Sequence, residues 1–158
     1  MLTAGAVMTK KVASARPDDT VAEVARLLTA HDISAVPVCD ASGALLGMLS
    51  EGDLMRPFGE AFAMKRAWWL NILAEGTDIA PAFVDYLRMD HRKASDLMSR
   101  PVITATESMT LPEIADLLAE HHIKRVPIVR DGKIVGIVSR ADIVRALATK
   151  PGEVVEPA

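Results

Sequence analysis

Hydrophobic and polar residues follow the same order twice along the chain. In each half, apolar residues recur with the period of an α-helix and predict one buried stripe. The stripes comprise residues 21, 24, 27 and 28 in the first half and 111, 114, 117 and 118 in the second. Each follows a Thr-x-x-Glu step with the spacing of an N-terminal capping box, Thr20 to Glu23 and Thr110 to Glu113. The pattern therefore predicts two equivalent helices.

Two strand-like runs follow each predicted helix. They read AVPVC and ALLGMLS in the first half, and RVPIV and KIVGIVS in the second, with DASG and RDG as turns between them. A short strand near Val12 or Val102 precedes each helix, and a second helix begins near Gly52 or Ala141. The predicted order is β-α-β-β-α twice, an α/β (α+β) fold.

The two halves also share identical residues. Aligning residues 7–56 with 97–145, with one gap at Ser42, gives 17 identities over 49 pairs. The shared residues include a G-h-h-S-x-x-D motif, GMLSEGD at 47–53 and GIVSRAD at 136–142. The chain is therefore an internal tandem duplication.

The duplication sets the predicted domain boundaries. We predict a first repeat at 1–56, a helical spacer at 57–95, a second repeat at 96–150 and a disordered tail at 151–158. A unit of about 50 residues buries too little surface to be stable alone, so we expect the repeats to pack together with approximate two-fold symmetry. Five of the six aromatic residues, Trp68 and Trp69 among them, lie between 62 and 86. They predict either a contact surface or a cover for their own module.

Composition excludes several classes of function. A net charge of −3 without a basic stripe argues against nucleic acid, and no apolar run is long enough to span a membrane, so we expect a cytoplasmic protein. Cys39 is the single cysteine and is expected to be a small buried hydrophobe. His31 and His121 are expected to close their helices rather than bind a metal, and His122 to approach a phosphate. No catalytic motif occurs, so we expect no enzyme activity.

The motifs together resemble the CBS (cystathionine β-synthase) domain pair, or Bateman module, of stand-alone bacterial proteins. The resemblance lies in VMTKKV and LMSRPVIT at the repeat starts, in AVPVC and RVPIV, and in GMLSEGD and GIVSRAD. It implies a homodimer paired through helices. It also implies that the motif aspartate grips the ribose of an adenine nucleotide, that the serine helps to hold the phosphate and that apolar strand residues sandwich the adenine. The same Ser-x-x-Asp step is equally the pattern of a simple helix cap.

Charge favours the second repeat as the nucleotide site. Lys124 and Arg125 precede its proline strand and Arg140 lies in its motif, whereas the first repeat has Ser34, Ala35 and Glu51 there. Charge-assisted hydrogen bonds to phosphate are about twice as strong as neutral ones. The predicted nucleotide site comprises Thr104, Lys124, Arg125, Val126, Pro127, Ser139, Arg140 and Asp142. A weaker second site comprises Val36, Pro37, Ser50 and Asp53. Lys124 and Arg125 could instead lie on a solvated strand edge.

The sequence thus predicts a regulatory module. It would need no cofactor, bind AMP, ADP or ATP as a regulatory ligand, and act through an unidentified effector protein. The alternative is a dimerisation or scaffold module without ligand affinity. A third possibility is a detached regulatory piece like that of an inosine-monophosphate dehydrogenase.

Overall fold

The structure is a computed structural model that describes residues 1–55 and 92–154. Its helices are α1 (Ala4–Val7), α2 (Val21–Ala30), α3 (described over 51–55), α4 (Ala94–Leu97), α5 (Leu111–Glu120), α6 (Arg140–Thr149) and α7 (Pro151–Val154). Its strands are β1 (Ala35–Cys39), β2 (Leu45–Ser50), β3 (Arg125–Arg130) and β4 (Lys133–Ser139). The strands form two pairs, β1 with β2 and β3 with β4. The predicted mixed α/β class is confirmed.

The chain forms two compact units that do not follow the repeat boundaries. The first comprises Met1–Val12, Cys39–Leu45 and Pro101–Ala158, and the second comprises Ala13–Val38 and Leu46–Arg100. The start of the first repeat thus belongs to the unit that holds the strands of the second repeat. The start of the second repeat, up to Arg100, belongs to the unit that holds the strands of the first. The predicted repeats at 1–56 and 96–150 describe the duplication but not these units.

In the first unit, β3 and β4 pair antiparallel, with Arg125 opposite Ser139 and Val126 opposite Val138. Ala105 forms a parallel bridge to Ile128 on one side of the pair, and Thr9 an antiparallel bridge to Ile137 on the other.

The second unit repeats this arrangement around β1 and β2. Ala15 forms a parallel bridge to Val38, and Ser99 an antiparallel bridge to Met48. The strands predicted near Val12 and Val102 are therefore reduced to single bridges at Ala15 and Ala105, and a turn begins two residues after each bridge.

Both predicted capping boxes are confirmed. The hydroxyl of Thr20 accepts the Glu23 N–H at 3.2 Å, and that of Thr110 accepts the Glu113 N–H at 3.4 Å. The helices that follow bury Val21, Val24 and Leu28 in the second unit and Leu111, Ile114 and Leu118 in the first. Pro112 lies in the first turn of α5, where its missing N–H removes no helical hydrogen bond.

His31 and His121 end helices α2 and α5, as predicted. The residue after each histidine adopts a left-handed backbone, with φ of 50° at Asp32 and 54° at His122. The amide of Ile33 then donates to the Leu28 carbonyl at 3.0 Å, the bond of a Schellman motif. Glycine usually fills this left-handed position, and aspartate and histidine are among the few other residues that occur there.

The motif glycines make room for a methionine. A Cβ at Gly47 would lie 2.6 Å from the sulfur of Met98, and one at Gly136 would come closer still to the sulfur of Met8. Each methionine lies at the start of one repeat and packs against the motif glycine of the other repeat. Close packing of these segments therefore explains why glycine recurs at this place.

Two further predictions concern residues outside the motifs. Cys39 is buried, as expected. Residues 151–154, placed in a disordered tail, form α7, because Val154 buries its side chain with Leu111 and Ala146. In the described part of the chain, no helix has the length and apolar character needed to cross a bilayer.

Candidate functional site

The second motif ends β4 and begins α6 with a complete capping box. Asp142 Oδ2 accepts from the Ser139 amide at 2.8 Å and from the Ser139 hydroxyl at 3.0 Å. The Ser139 hydroxyl oxygen in turn accepts the Asp142 N–H at 3.3 Å. One carboxylate oxygen is therefore fully used in holding the helix start, which confirms the cap interpretation of the motif.

The other oxygen of Asp142 has a different partner. Asp142 Oδ1 accepts from Arg145 Nη1 at 3.1 Å, and the side chain of Arg145 is 71% exposed while that of Asp142 is 9% exposed. A salt bridge with one partner so exposed contributes at most about 1 kcal/mol. The oxygen is thus held loosely and can exchange its partner.

Arg145 is a residue whose role the sequence analysis missed. The sequence does indicate a contact with the motif aspartate, because an arginine follows this aspartate by three residues in both repeats, at 56 and 145. On a helix that spacing brings the two side chains together.

The first motif caps α3 in the same way. Asp53 Oδ2 accepts from the Ser50 amide at 2.9 Å and from the Ser50 hydroxyl at 3.1 Å. Asp53 is buried like its counterpart. Both copies therefore share the contacts between one carboxylate oxygen and the motif serine.

Four of the predicted site residues lie on one face of the β3–β4 sheet. Opposed residues of an antiparallel pair share a face, so Arg125 lies beside Ser139, and alternation along β3 adds Pro127. Thr104 joins this face because its neighbour Ala105 bridges to Ile128. Thr104 is exposed, Arg125 and Ser139 are half-buried, and Pro127 is buried. The sheet thus places an arginine next to the motif serine.

Val126 does not lie on this face. Its side chain is fully buried opposite Val138, in the core cluster with Ile114 and Ile128. Val36 is likewise fully buried in the core of the second unit, and Pro37 is buried beside it. The side chains of the two valines therefore form part of the core.

Lys124 and Arg140 lie together but apart from Asp142. The Arg140 amide donates to the Lys124 carbonyl at 2.9 Å. Both residues, with His122, line a groove of about 460 Å³ between α5 and α6. Asp142 and Arg145 line a different groove of about 210 Å³ between α1 and α6. Positions 140 and 142 point about 200° apart on a helix, which explains the separation.

Other predicted features are tested only in part. Within residues 1–55 and 92–154, no group of three or more His, Cys, Asp and Glu side chains could hold a metal ion. Trp68, Trp69 and the rest of the spacer up to residue 91 lie outside the described residues.

Comparison with known proteins agrees with the duplicated fold. The family model of the CBS domain matches twice, at residues 4–60 and 94–149. The CBS domain-containing protein YhcV of Bacillus subtilis is 30% identical over 136 residues, which cover 86% of this chain and 79% of that protein.

Solved structures show the same likeness. The CBS domain of a CBS domain-containing membrane protein from Sphaerobacter thermophilus is 33% identical, with a TM-score of 0.69 over 92% of this chain and 87% of that one. The CBSX2 protein, solved from Arabidopsis thaliana, is 26% identical in its complex with AMP, with a TM-score of 0.71 over 94% of this chain and 97% of that one.

Proposed function

Since this chain belongs to the CBS domain family, we propose that it is a regulatory protein that binds a phosphorylated adenosine ligand through its second repeat. AMP, ADP and ATP are the proposed ligands. The observation that carries the proposal is the juxtaposition of Arg125 with Ser139, at the strand end that leads into Asp142. AMP bound to CBSX2 supports the same class of ligand.

The ribose is proposed to bind at the loosely held oxygen of Asp142. Its two hydroxyl groups would replace Arg145 on Oδ1, while Oδ2 stays bonded to Ser139. The exchange breaks one exposed ion pair and forms two hydrogen bonds to a largely buried carboxylate. Hydrogen bonds to a charged group contribute about 1.5–3 kcal/mol each, more than the ion pair they replace.

The phosphate is proposed to bind Arg125. The start of α6 has fewer amide groups to offer than a bare helix end, because the Arg140 N–H donates to Lys124 and the Asp142 N–H to Ser139. A guanidinium can bind phosphate through two parallel hydrogen bonds. Thr104 and Pro127 lie on the same sheet face and complete the proposed site.

Two residues of the predicted site are left out of it. Lys124 and Arg140 line the groove between α5 and α6, which Asp142 does not line. The second, weaker site at Ser50 and Asp53 has Ala35 where the first has Arg125. It is therefore proposed to prefer an adenosine group without phosphate.

The regulatory output is proposed to pass through another protein. The ligand would favour one arrangement of the chain, and an effector would bind that arrangement better than the other. In this proposal the protein is a cytoplasmic homodimer without catalytic activity of its own.

The test is a calorimetric titration of the wild type with AMP, ADP, ATP and S-adenosylmethionine. We expect at least one nucleotide to bind more tightly than the sulfonium compound, which carries no phosphate. Arg125→Ala should weaken that binding about tenfold or more, since it removes a charge-assisted contact. The matched control is Arg130→Ala, at the far end of β3, which should bind like the wild type.

A scaffold without ligand affinity is the second candidate. The observation in its favour is that the motif is fully satisfied as a helix cap, which needs no ligand to explain it. Absence of binding for all four compounds would support this candidate and overturn the proposal. Tighter binding of S-adenosylmethionine than of any nucleotide would contradict the role of Arg125.

A further inference from the structure

The equivalent helix faces of the two units carry opposite charge. In the first unit, His122, Lys124, Arg140 and Val144 form what we call the basic face. The aligned residues of the second unit are Asp32, Ser34, Glu51 and Met55, the acidic face.

The backbone of the two faces is the same. The Glu51 amide donates to the Ser34 carbonyl at 2.9 Å, as the Arg140 amide does to Lys124. Asp32 and His122 share the left-handed conformation. The two faces therefore differ in the charge of their side chains and not in their local backbone.

The charged groups of both faces are unpaired. In the described residues, the side chains of Asp32 and Glu51 form no hydrogen bond or ion pair, and neither do those of Lys124 and Arg140. All four residues are exposed.

Both faces also expose apolar side chains. Among the described residues, the exposed large hydrophobic residues are Met1, Met55, Val144 and Leu147. Met55 belongs to the acidic face and Val144 to the basic face, and Leu147 follows Val144 by one turn of helix on α6. An apolar centre with a charged rim is the usual composition of a protein interface.

We propose that two copies of this chain associate by placing the basic face of one against the acidic face of the other. This inference rests on the homodimer of the proposed function and specifies its arrangement. A contact between like faces would bring Lys124 and Arg140 against their own copies, and like charges repel each other when they are close. A contact between unlike faces pairs these cations with Asp32 and Glu51, so the chain itself supplies the complement to its basic face.

The test is sedimentation equilibrium of charge-reversal variants in low salt. Lys124→Glu with Arg140→Glu should raise the dimer dissociation constant about tenfold or more, and so should Asp32→Lys with Glu51→Arg. The combined quadruple variant should associate like the wild type, because the two faces are complementary again. The matched control, Lys10→Glu with Lys11→Glu, makes the same change in net charge at two other exposed residues and should leave association unchanged.

Each outcome decides between arrangements. If neither double variant weakens the dimer, or if the quadruple variant stays monomeric with a melting temperature like that of the wild type, the proposed contact is wrong. A monomeric wild type overturns both the contact and the homodimer. Calorimetry on the same variants separates these results from ligand binding: loss of nucleotide affinity in the Lys124 and Arg140 variant, with association intact, would assign these cations to a ligand instead.

Discussion

The two units have the same local structure but differ in their charged residues. Both bury a capping aspartate, end their first helix with a histidine and pack a methionine on a motif glycine. Around this common frame, the first unit carries Lys124, Arg125 and Arg140 where the second carries Ser34, Ala35 and Glu51. The motif residues therefore maintain the fold in both copies, and we propose that the residues beside them determine what each copy binds.

The largest expected effect concerns a feature that both units share. Gly136→Ala and Gly47→Ala should each lower the free energy of unfolding by about 1–3 kcal/mol, because the added methyl group overlaps Met8 or Met98. Chemical denaturation measures the loss. Gly152→Ala is the control, since a Cβ there meets nothing within 4 Å. A change at Gly136 no larger than at Gly152 would contradict the packing explanation.

The left-handed positions after α2 and α5 should respond in the opposite direction. His122→Gly and Asp32→Gly should each raise the free energy of unfolding, by up to about 1 kcal/mol, because glycine adopts positive φ without a steric cost. Aspartate and histidine both tolerate this conformation better than most residues, so the two gains should be small and similar. Thermal unfolding of the two variants measures both gains, and destabilisation by either glycine would contradict the backbone assignment.

The contact between Arg145 and Asp142 should contribute little to the free energy of unfolding. Arg145→Gln should cost less than about 1 kcal/mol of stability because the arginine is exposed. Nucleotide affinity should stay equal or increase, since the ribose no longer competes with a guanidinium for Oδ1. Calorimetric titration checks this, and a tenfold loss of affinity would show that Arg145 itself binds the ligand.

The ion pair between Glu107 and Arg130 should have the smallest effect. Its two side chains form hydrogen bonds of 2.6 to 2.9 Å, and the Glu107 carboxylate raises the pKa of Arg130 above its usual range. The pair belongs to the first unit only, since the aligned residues are Pro17 and Asp40. Because Arg130 is exposed, Glu107→Gln should leave the melting temperature within experimental error, and a clear decrease would contradict this.

The local features of the fold could be predicted from sequence. The capping boxes at Thr20 and Thr110 depend on residues three positions apart, and the helical stripes depend on a single helix. The sequence did not predict that the start of each repeat belongs to the unit that holds the strands of the other repeat. This arrangement depends on pairs such as Thr9 with Ile137, which are distant in sequence.

The candidate site was predictable to a similar degree. The motif residues and the charge difference could be read directly, and the pairing of the strands then placed Arg125 beside Ser139. The direction in which the Arg140 side chain points could not be predicted without knowing where α6 begins. Once the helix starts at Arg140, helical geometry turns this residue away from Asp142.

We propose that Asp142 and Asp53 begin their helices in the same way but differ in ligand binding because their surroundings differ. Thermal unfolding with and without AMP tests it most directly, in Asp142→Ala and in Asp53→Ala. Each variant loses the carboxylate half of a capping box and should lose about 1 kcal/mol of stability. We predict that saturating AMP still raises the melting temperature of the Asp53 variant by as much as that of the wild type, and no longer raises that of the Asp142 variant. An equal shift in both variants, or a shift lost only with Asp53→Ala, would show that Asp142 does not bind the nucleotide.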